Sequence, residues 1–423
     1  MMFEKVCVLG LGYVGLPTAA ALATQRIQVL GVDINQNAVD TINQGRIHIV
    51  EPELDVAVQA CVTRGFLKAS TTPEPADAFL VAVPTPFKEG HEPDLRFIES
   101  AARMIAPMLV PGNLVILEST SPVGATEQLS AWLAEARTDL SFPHEAGESS
   151  DIRVAHCPER VLPGKVMFEI AQNDRVIGGI TPACGEAAKK LYETFVRGEC
   201  VVTDARTAEL CKLTENAARD VNIAFANELS LVCDRFGIDV WELISLANRH
   251  PRINILQPGP GVGGHCIAVD PWFIVSGARE ETPLIQTARA VNDGKPQWVE
   301  NKVALAVQRF LNENPARAVE NVTIACFGLA FKADIDDLRE SPALEIALSL
   351  AEQYPGRVIG IEPNIAKLPE ACADSTLRLE STEQALLTAD IYVLLVDHRQ
   401  FRGFNPTNAG RVTVDTRGIW QAS

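Results

Sequence analysis

Cys266 follows three glycines, at 261, 263 and 264, in PGPGVGGHCIAVDPWF (258–273), with a carboxylate, Asp270, four residues on. A single cysteine reads first as a small packing residue. The glycines point the other way. They strip side chains from around the thiol and leave backbone N–H groups for a developing oxyanion. The chemistry implied is nucleophilic, and it requires a cation that favours the thiolate. A candidate stands in the long proline-free stretch TAELCKLTENAARDVNIAFANELSLVCDRFG (207–237), where Lys212, Asn216 and Arg219 fall at i, i+4 and i+7. On a helix those three share a face. Alone they read as a solvated stripe; in an Ala-rich, apolar helix they read as the wall of a cleft. HCPERVLPG (156–164) offers Glu159 and Arg160, either an exposed loop pair or a carboxylate that positions water. NRHPRIN (248–254) places His250 and Arg252 at a polar helix end or at an anionic sugar-phosphate.

A second kind of chemistry is written at the N-terminus. Gly10, Gly12 and Gly15 form G-x-G-x-x-G between an apolar run and a helix start. The first glycine permits the turn, the second lets a pyrophosphate approach the backbone, and the third lets helix and strand pack closely. The phosphates meet the positive end of the helix. A second apolar run ends in Asp33, 23 residues after Gly10, where a carboxylate accepts bonds from the adenosine ribose hydroxyls. Ile34 and Asn35 follow, with no arginine to receive a 2′-phosphate, so the spacing predicts NAD rather than NADP. Tyr13 and Val14 are expected to line the turn. Thr85, in VPTP, and Ser119, Thr120 and Thr126, in ESTSPVGAT, are expected to edge the same crevice.

These residues need elements to hold them. At 423 residues the chain exceeds one core and implies two or three domains. Its 47% apolar and 22% charged content is that of a soluble globular protein. A net charge of −17 argues against nucleic acid or an anionic membrane as partner. The ten cysteines include no C-x-x-C pair, so no metal site is expected. The N-terminus enters a strand pattern directly, and no apolar run is long enough for membrane insertion. A reducing cytoplasm fits these free thiols.

The first part alternates buried strands, VCVLG, QVLGVDI, AFLVAVP and LVILEST, with helices, as a covered parallel sheet requires. A polar stretch over about 137–165 leads to DRVIGGI. The pattern then turns helical from about 204 until Gly237, and Asp239 caps VWELISLANRH before Pro251. From about 321 the alternation restarts with NVTIACFGLAFK, RVIGIEP, DIYVLLVDH and RVTVDTRG. The expected fold is α/β: two Rossmann-like doubly wound lobes, over 1–200 and 301–423, joined by a long central helix region, 201–300.

GLGYVGLP, ELCKLTEN, GVGGHCIAVDPW and GLAFKADIDDLRESP together resemble the UDP-glucose/GDP-mannose dehydrogenase family over essentially the whole chain. The resemblance implies NAD-dependent, four-electron oxidation of a UDP-sugar at C6 through a cysteine thiohemiacetal and thioester. Cys266 would be the nucleophile and Lys212 the acid/base and electrostatic group. Asn216 and Asp270 would order water, and Glu159 would assist thioester hydrolysis. Arg160, Val161, Lys212, Asn216, Arg219, His250, Arg252, Gly263, Phe331, Lys332 and Arg417 would surround the UDP-sugar, with Arg339 on the cofactor. Arg252 would reach a neighbouring subunit's site in a homodimer formed through the central helices.

VPTPFKEGHEPD, NRHPRINILQPG and TRGIW narrow the resemblance. His265 precedes the cysteine and Val269 precedes Asp270, where glucose-specific members typically carry Ser and Lys. The substrate implied is UDP-N-acetyl-D-mannosamine, for bacterial surface polysaccharide (common antigen) synthesis, with its C2 epimer UDP-N-acetylglucosamine as the alternative. Two other readings stay open: a two-electron hydroxy-acid-type dehydrogenase that needs no cysteine, and a nucleotide-sensing protein without catalysis.

Overall fold

The computed structural model describes residues 3–49, 51–161, 164–264, 266–403, 406 and 411–420. These form two compact units. One takes the chain up to Glu215 with Trp272–Arg279; the other takes Asn216–Pro271 and the chain from Glu280 on.

The first unit is built on β1 (Lys5–Leu9), β2 (Gln28–Val32), β3 (Leu67–Ser70), β4 (Ala78–Val81), β5 (Leu114–Leu117), β6 (Arg153–His156), β7 (Arg175–Gly179) and β8 (Cys200–Asp204). Among the described residues they form one sheet in the order β3-β2-β1-β4-β5-β6-β7-β8. All pairings are parallel except β6 with β7. Alternate residues feed opposite faces, as the two-residue period dictates. Val6, Val8, Leu80 and Ile116 join one core cluster, and Cys7, Leu9, Phe79, Val81, Val115 and Leu117 the other. Every residue of β4 and β5 is buried, which explains why those runs read as unbroken apolar segments.

The second unit holds β9 (Ile324–Phe327), β10 (Val358–Ile361), β11 (Arg378–Leu379), β12 (Ile391–Leu394) and β13 (Val412–Asp415). They pair in the order β11-β10-β9-β12-β13, all parallel. This repeats the strand order of the first five strands, and it repeats their turn as well. Gly10 after β1 and Gly328 after β9 have φ of 86° and 87°. Each donates its N–H at 2.8 Å to the last residue of the neighbouring strand, Val32 or Ile361. An acid beyond that strand then catches the next amide: Asp33 takes Leu11 at 2.9 Å, and Glu362 takes Leu329 at 2.8 Å. The expected pair of Rossmann-like lobes is present.

The long helix runs Ala205–Phe236 and stops before Gly237, whose φ of 68° a helix cannot continue. Asp239 caps Val240–Ala247 by accepting from Trp241 and Glu242, as expected. That helix ends at Ala247, three residues short of the expected His250. The polar stretch 137–165 is not merely a connector, because it contains β6. No helix among the described residues is long and apolar enough to cross a membrane.

Candidate active site

The glycine turn separates three roles. A Cβ at Gly10 would lie 2.4 Å from the carbonyl oxygen of Ala82, and one at Gly15 would lie 1.8 Å from that of Gly10. Both are excluded by packing. A Cβ at Gly12 meets nothing within 4 Å. The second glycine thus keeps clear a space that the protein itself does not use, as close approach of a pyrophosphate requires. Asp33 is half-buried, and its two oxygens accept Leu11 N at 2.9 Å and Asn35 N at 2.9 Å. Each oxygen keeps a second lone-pair direction for a ribose hydroxyl. Tyr13 is 40% exposed beside the turn, and Val14 is half-buried. The residues present therefore fit an NAD.

The loops after β4 and β5 are tied to one another. Thr85 Oγ1 donates to the Thr120 carbonyl at 2.5 Å, and Ser119 Oγ to that of Val83 at 2.6 Å. Thr126 differs from expectation in its side chain. It is fully buried, and its amide and hydroxyl both donate to Glu209, at 2.7 and 2.5 Å. Gly124 N donates to the other oxygen of Glu209 at 2.6 Å. Thr126 and Glu209 thus fix the start of the helix Ala125–Ala136, and the hydroxyl does not face a crevice. Glu209 escaped the sequence reading.

Glu159 is not an exposed loop carboxylate. It is 7% exposed, takes the Arg160 amide on Oε1 at 2.7 Å, and lies 2.6 Å from Arg175 Nη1 through Oε2. The Arg160 guanidinium turns to Glu215, at 2.5 Å. Val161 packs against the core. Lys212 is half-buried on the long helix.

In the second unit, Asn216 Nδ2 donates to Asp270 Oδ2 at 2.5 Å, and Asp270 itself is 3% exposed. The amides of Val269 and Asp270 both donate to the Cys266 carbonyl, at 3.1 and 2.9 Å, closing a turn behind the cysteine. Cys266 is exposed, whereas Cys211 is half-buried and the other eight cysteines are buried. Burial pushes the thiols of Cys7, Cys157 and Cys326 up to about 12.

The preceding glycines have a different purpose from the one their sequence suggested. A Cβ at Gly263 would lie 2.3 Å from the Glu340 carbonyl, and one at Gly264 would lie 2.9 Å from the Phe331 ring. Gly264 N donates to the Glu340 carbonyl at 3.2 Å. Here glycine allows two loops to touch, and this amide is already engaged. The contact brings the expected residues Gly263 and Phe331 together.

Lys332 is exposed, and Arg339 is paired with Asp337 at 2.6 Å. Arg417 binds Asp397 at 2.8 Å and reaches the Pro258 carbonyl at 3.3 Å, at the start of the cysteine loop. Arg219, His250 and Arg252 are exposed. His265 lies outside the described residues.

Sequence reasoning also missed the anchor of this loop. Asn227 accepts Gly259 N at 2.9 Å and donates to Asn292 at 2.9 Å. Asn292 in turn donates to Asp220 at 2.8 Å, and Arg289 meets Asp220 at 2.7 Å. All four of these side chains are buried.

Comparison with known proteins covers the whole chain. Residues 4–196, 206–294 and 325–422 match the NAD binding, central and UDP binding domains of the UDP-glucose/GDP-mannose dehydrogenase family. An NDP-N-acetyl-D-galactosaminuronic acid dehydrogenase of Ralstonia nicotianae is 64% identical over 99% of this chain and 97% of its own. A UDP-N-acetyl-D-mannosamine dehydrogenase of Yersinia pestis is 62% identical over the full length of both. The solved structure of a UDP-D-ManNAc dehydrogenase from Pyrococcus horikoshii superposes with a TM-score of 0.87 at 37% identity, covering 99% of this chain and 96% of that one.

Proposed function

This chain belongs to the UDP-glucose/GDP-mannose dehydrogenase family, and from that premise we propose that it oxidises C6 of UDP-N-acetyl-D-mannosamine to give UDP-N-acetyl-D-mannosaminuronate. The observation that carries the reading is an exposed Cys266 at the head of a turn whose Asp270 is clamped by Asn216.

The balance is R–CH2OH + 2 NAD⁺ + H2O → R–COO⁻ + 2 NADH + 3 H⁺. NAD, held by the glycine turn and Asp33, would supply the hydride acceptor for each of the two oxidations. The Cys266 thiolate adds to the aldehyde carbon left by the first, so a reactive species stays on the enzyme as a thiohemiacetal. The second oxidation leaves a thioester on the same sulfur. Water then adds at that carbon and the C–S bond breaks, returning the thiolate. Glu159 holds and deprotonates the water, and Asn216 with Asp270 orders it. Lys212 gives its charge to the C6 oxygen wherever an oxyanion develops there. The glycine turn, Tyr13, Val14, Asp33, Thr85, Thr120 and Arg339 serve the cofactor, and Thr126 serves it through the helix it starts. Arg160, Val161, Arg219, His250, Arg252, Gly263, Phe331, Lys332 and Arg417 serve the UDP-sugar.

The division of labour follows 1–200 for NAD, 201–300 for the central helices and 301–423 for the nucleotide. We place the enzyme in the cytoplasm, supplying surface polysaccharide synthesis, as a homodimer. Phe225, Val232 and Phe236, at i, i+7 and i+11 of the long helix, are 52%, 44% and 70% exposed, and Arg252 would serve the partner's site. An apolar stripe of this kind is a surface that asks to be covered.

The Ralstonia relative supports a second reading, in which the sugar is N-acetylgalactosamine, which differs from N-acetylmannosamine at both C2 and C4. Purified protein assayed with UDP-ManNAc, UDP-GlcNAc, UDP-GalNAc and UDP-glucose decides. The expected result is two NADH per UDP-ManNAc, and no acid from Cys266→Ser despite unchanged NAD binding. One NADH per substrate, or a competent serine variant, overturns the proposal.

A further inference from the structure

We infer that Arg175, at the start of β7, is a positioning residue that holds the Glu159 carboxylate for thioester hydrolysis, with Glu118 as the opposing acid. The inference rests on the role proposed for Glu159.

Arg175 is 1% exposed, and its Nη1 lies 2.6 Å from Glu159 Oε2. Its Nη2 donates to the Ile170 carbonyl at 3.2 Å, and its guanidinium carbon lies 5.4 Å from the centre of the Tyr192 ring. Tyr192 Oη donates to Glu118 Oε1 at 2.6 Å. Glu118 Oε2 and Arg175 Nε make no hydrogen bond within the described residues, and the Arg175 Nη1–Glu159 Oε2 contact is an ion pair without hydrogen-bond geometry. The ionisable groups that face the guanidinium are Glu159 and Cys157 after β6, Tyr192 on its helix, and Glu118 after β5. Burial pushes the Cys157 thiol up to about 12 and raises the Tyr192 phenol, so both stay neutral.

Two enclosed carboxylates therefore share one guanidinium. A buried charge persists only where it is paired. Glu159 holds the close ion pair with Arg175 and accepts the Arg160 N–H. Glu118 has the Tyr192 hydroxyl and, more weakly, that of Thr18, and burial pushes its carboxyl up to about 7. Below about pH 7 Glu118 therefore carries a proton, and the guanidinium stays tied to Glu159 by the close contact. The arrangement explains an arginine, a tyrosine and a glutamate that neither the cofactor turn nor the cysteine loop uses.

The test follows the acyl-enzyme. With UDP-ManNAc and NAD, Arg175→Lys is expected to give the normal initial release of NADH and then slow. Steady turnover should fall about a hundredfold, the scale of a misplaced reacting group. Intact-protein mass spectrometry should show the sugar acid still attached to the enzyme. Glu118→Gln, which is uncharged at every pH, should fold and should lose the change in thioester cleavage rate near pH 7.

Wild-type turnover with no trapped acyl group in Arg175→Lys overturns the inference. So does an unaltered pH profile in Glu118→Gln, which remains decisive if the lysine variant does not fold. Glu159→Gln separates the two levels. If it traps the acyl-enzyme while the Arg175 and Glu118 variants behave as wild type, only this inference fails. If it turns over normally, the role of Glu159 fails and this inference goes with it.

Discussion

A thiol reacts as its thiolate, so depth decides which cysteine can act. Exposure separates Cys266 from eight buried cysteines and the half-buried Cys211. Iodoacetamide at mildly alkaline pH should therefore modify Cys266 first, and UDP-ManNAc should protect it, as peptide mapping by mass would show. Labelling spread evenly over several cysteines would contradict this. Lys212→Ala should lower kcat about a hundredfold, the usual scale for losing an oxyanion donor, with little change in KM. A change confined to KM would reduce Lys212 to a binding group. The exposure of Cys266 was legible in the sequence because its neighbours are unusual in type. The burial of Glu159 was not, since a loop carboxylate in HCPER looks the same whether it faces water or Arg175.

At the scale of elements, the same residue type has opposite meanings a few positions apart. Gly15→Ala drives a methyl into the Gly10 carbonyl and should cost several degrees of Tm. Gly12→Ala meets only open space, so its Tm should stay near wild type while KM for NAD rises at least tenfold. Equal loss of stability in both variants would show that the space at Gly12 is not the cofactor's. The strands β1, β2, β4 and β5 were readable because all but a few of their residues are buried, leaving continuous apolar runs. β6 was hidden in a polar stretch, being only four residues long and carrying Arg153 and His156. His156 is fully buried, which holds its imidazole down to about 3 and hence neutral, so in the sheet it behaves as an apolar residue. Composition cannot announce that.

For the whole molecule, the exposed stripe of Phe225, Val232 and Phe236 predicts association. Phe236→Asp should shift sedimentation from dimer to monomer, and it should lower activity if Arg252 serves the partner's site. A monomeric wild type would refute the interface. The sequence by itself determined the α/β alternation, the nucleotide turn, the long helix and the one cysteine set among glycines. These are local signals, carried by periodicity and by residue types at short spacing. The tertiary structure decided which polar groups are occupied and by whom. Glu209 holds the helix start at Thr126, 83 residues away; Asn216 reaches Asp270 across 54; Asn227 reaches Gly259 across 32. It also turned the glycines at 263 and 264 from bare backbone into the contact face for Phe331 and Glu340. Such partners meet only once the chain has folded, because a buried donor or acceptor must find whatever group the packing brings within reach, however distant in sequence.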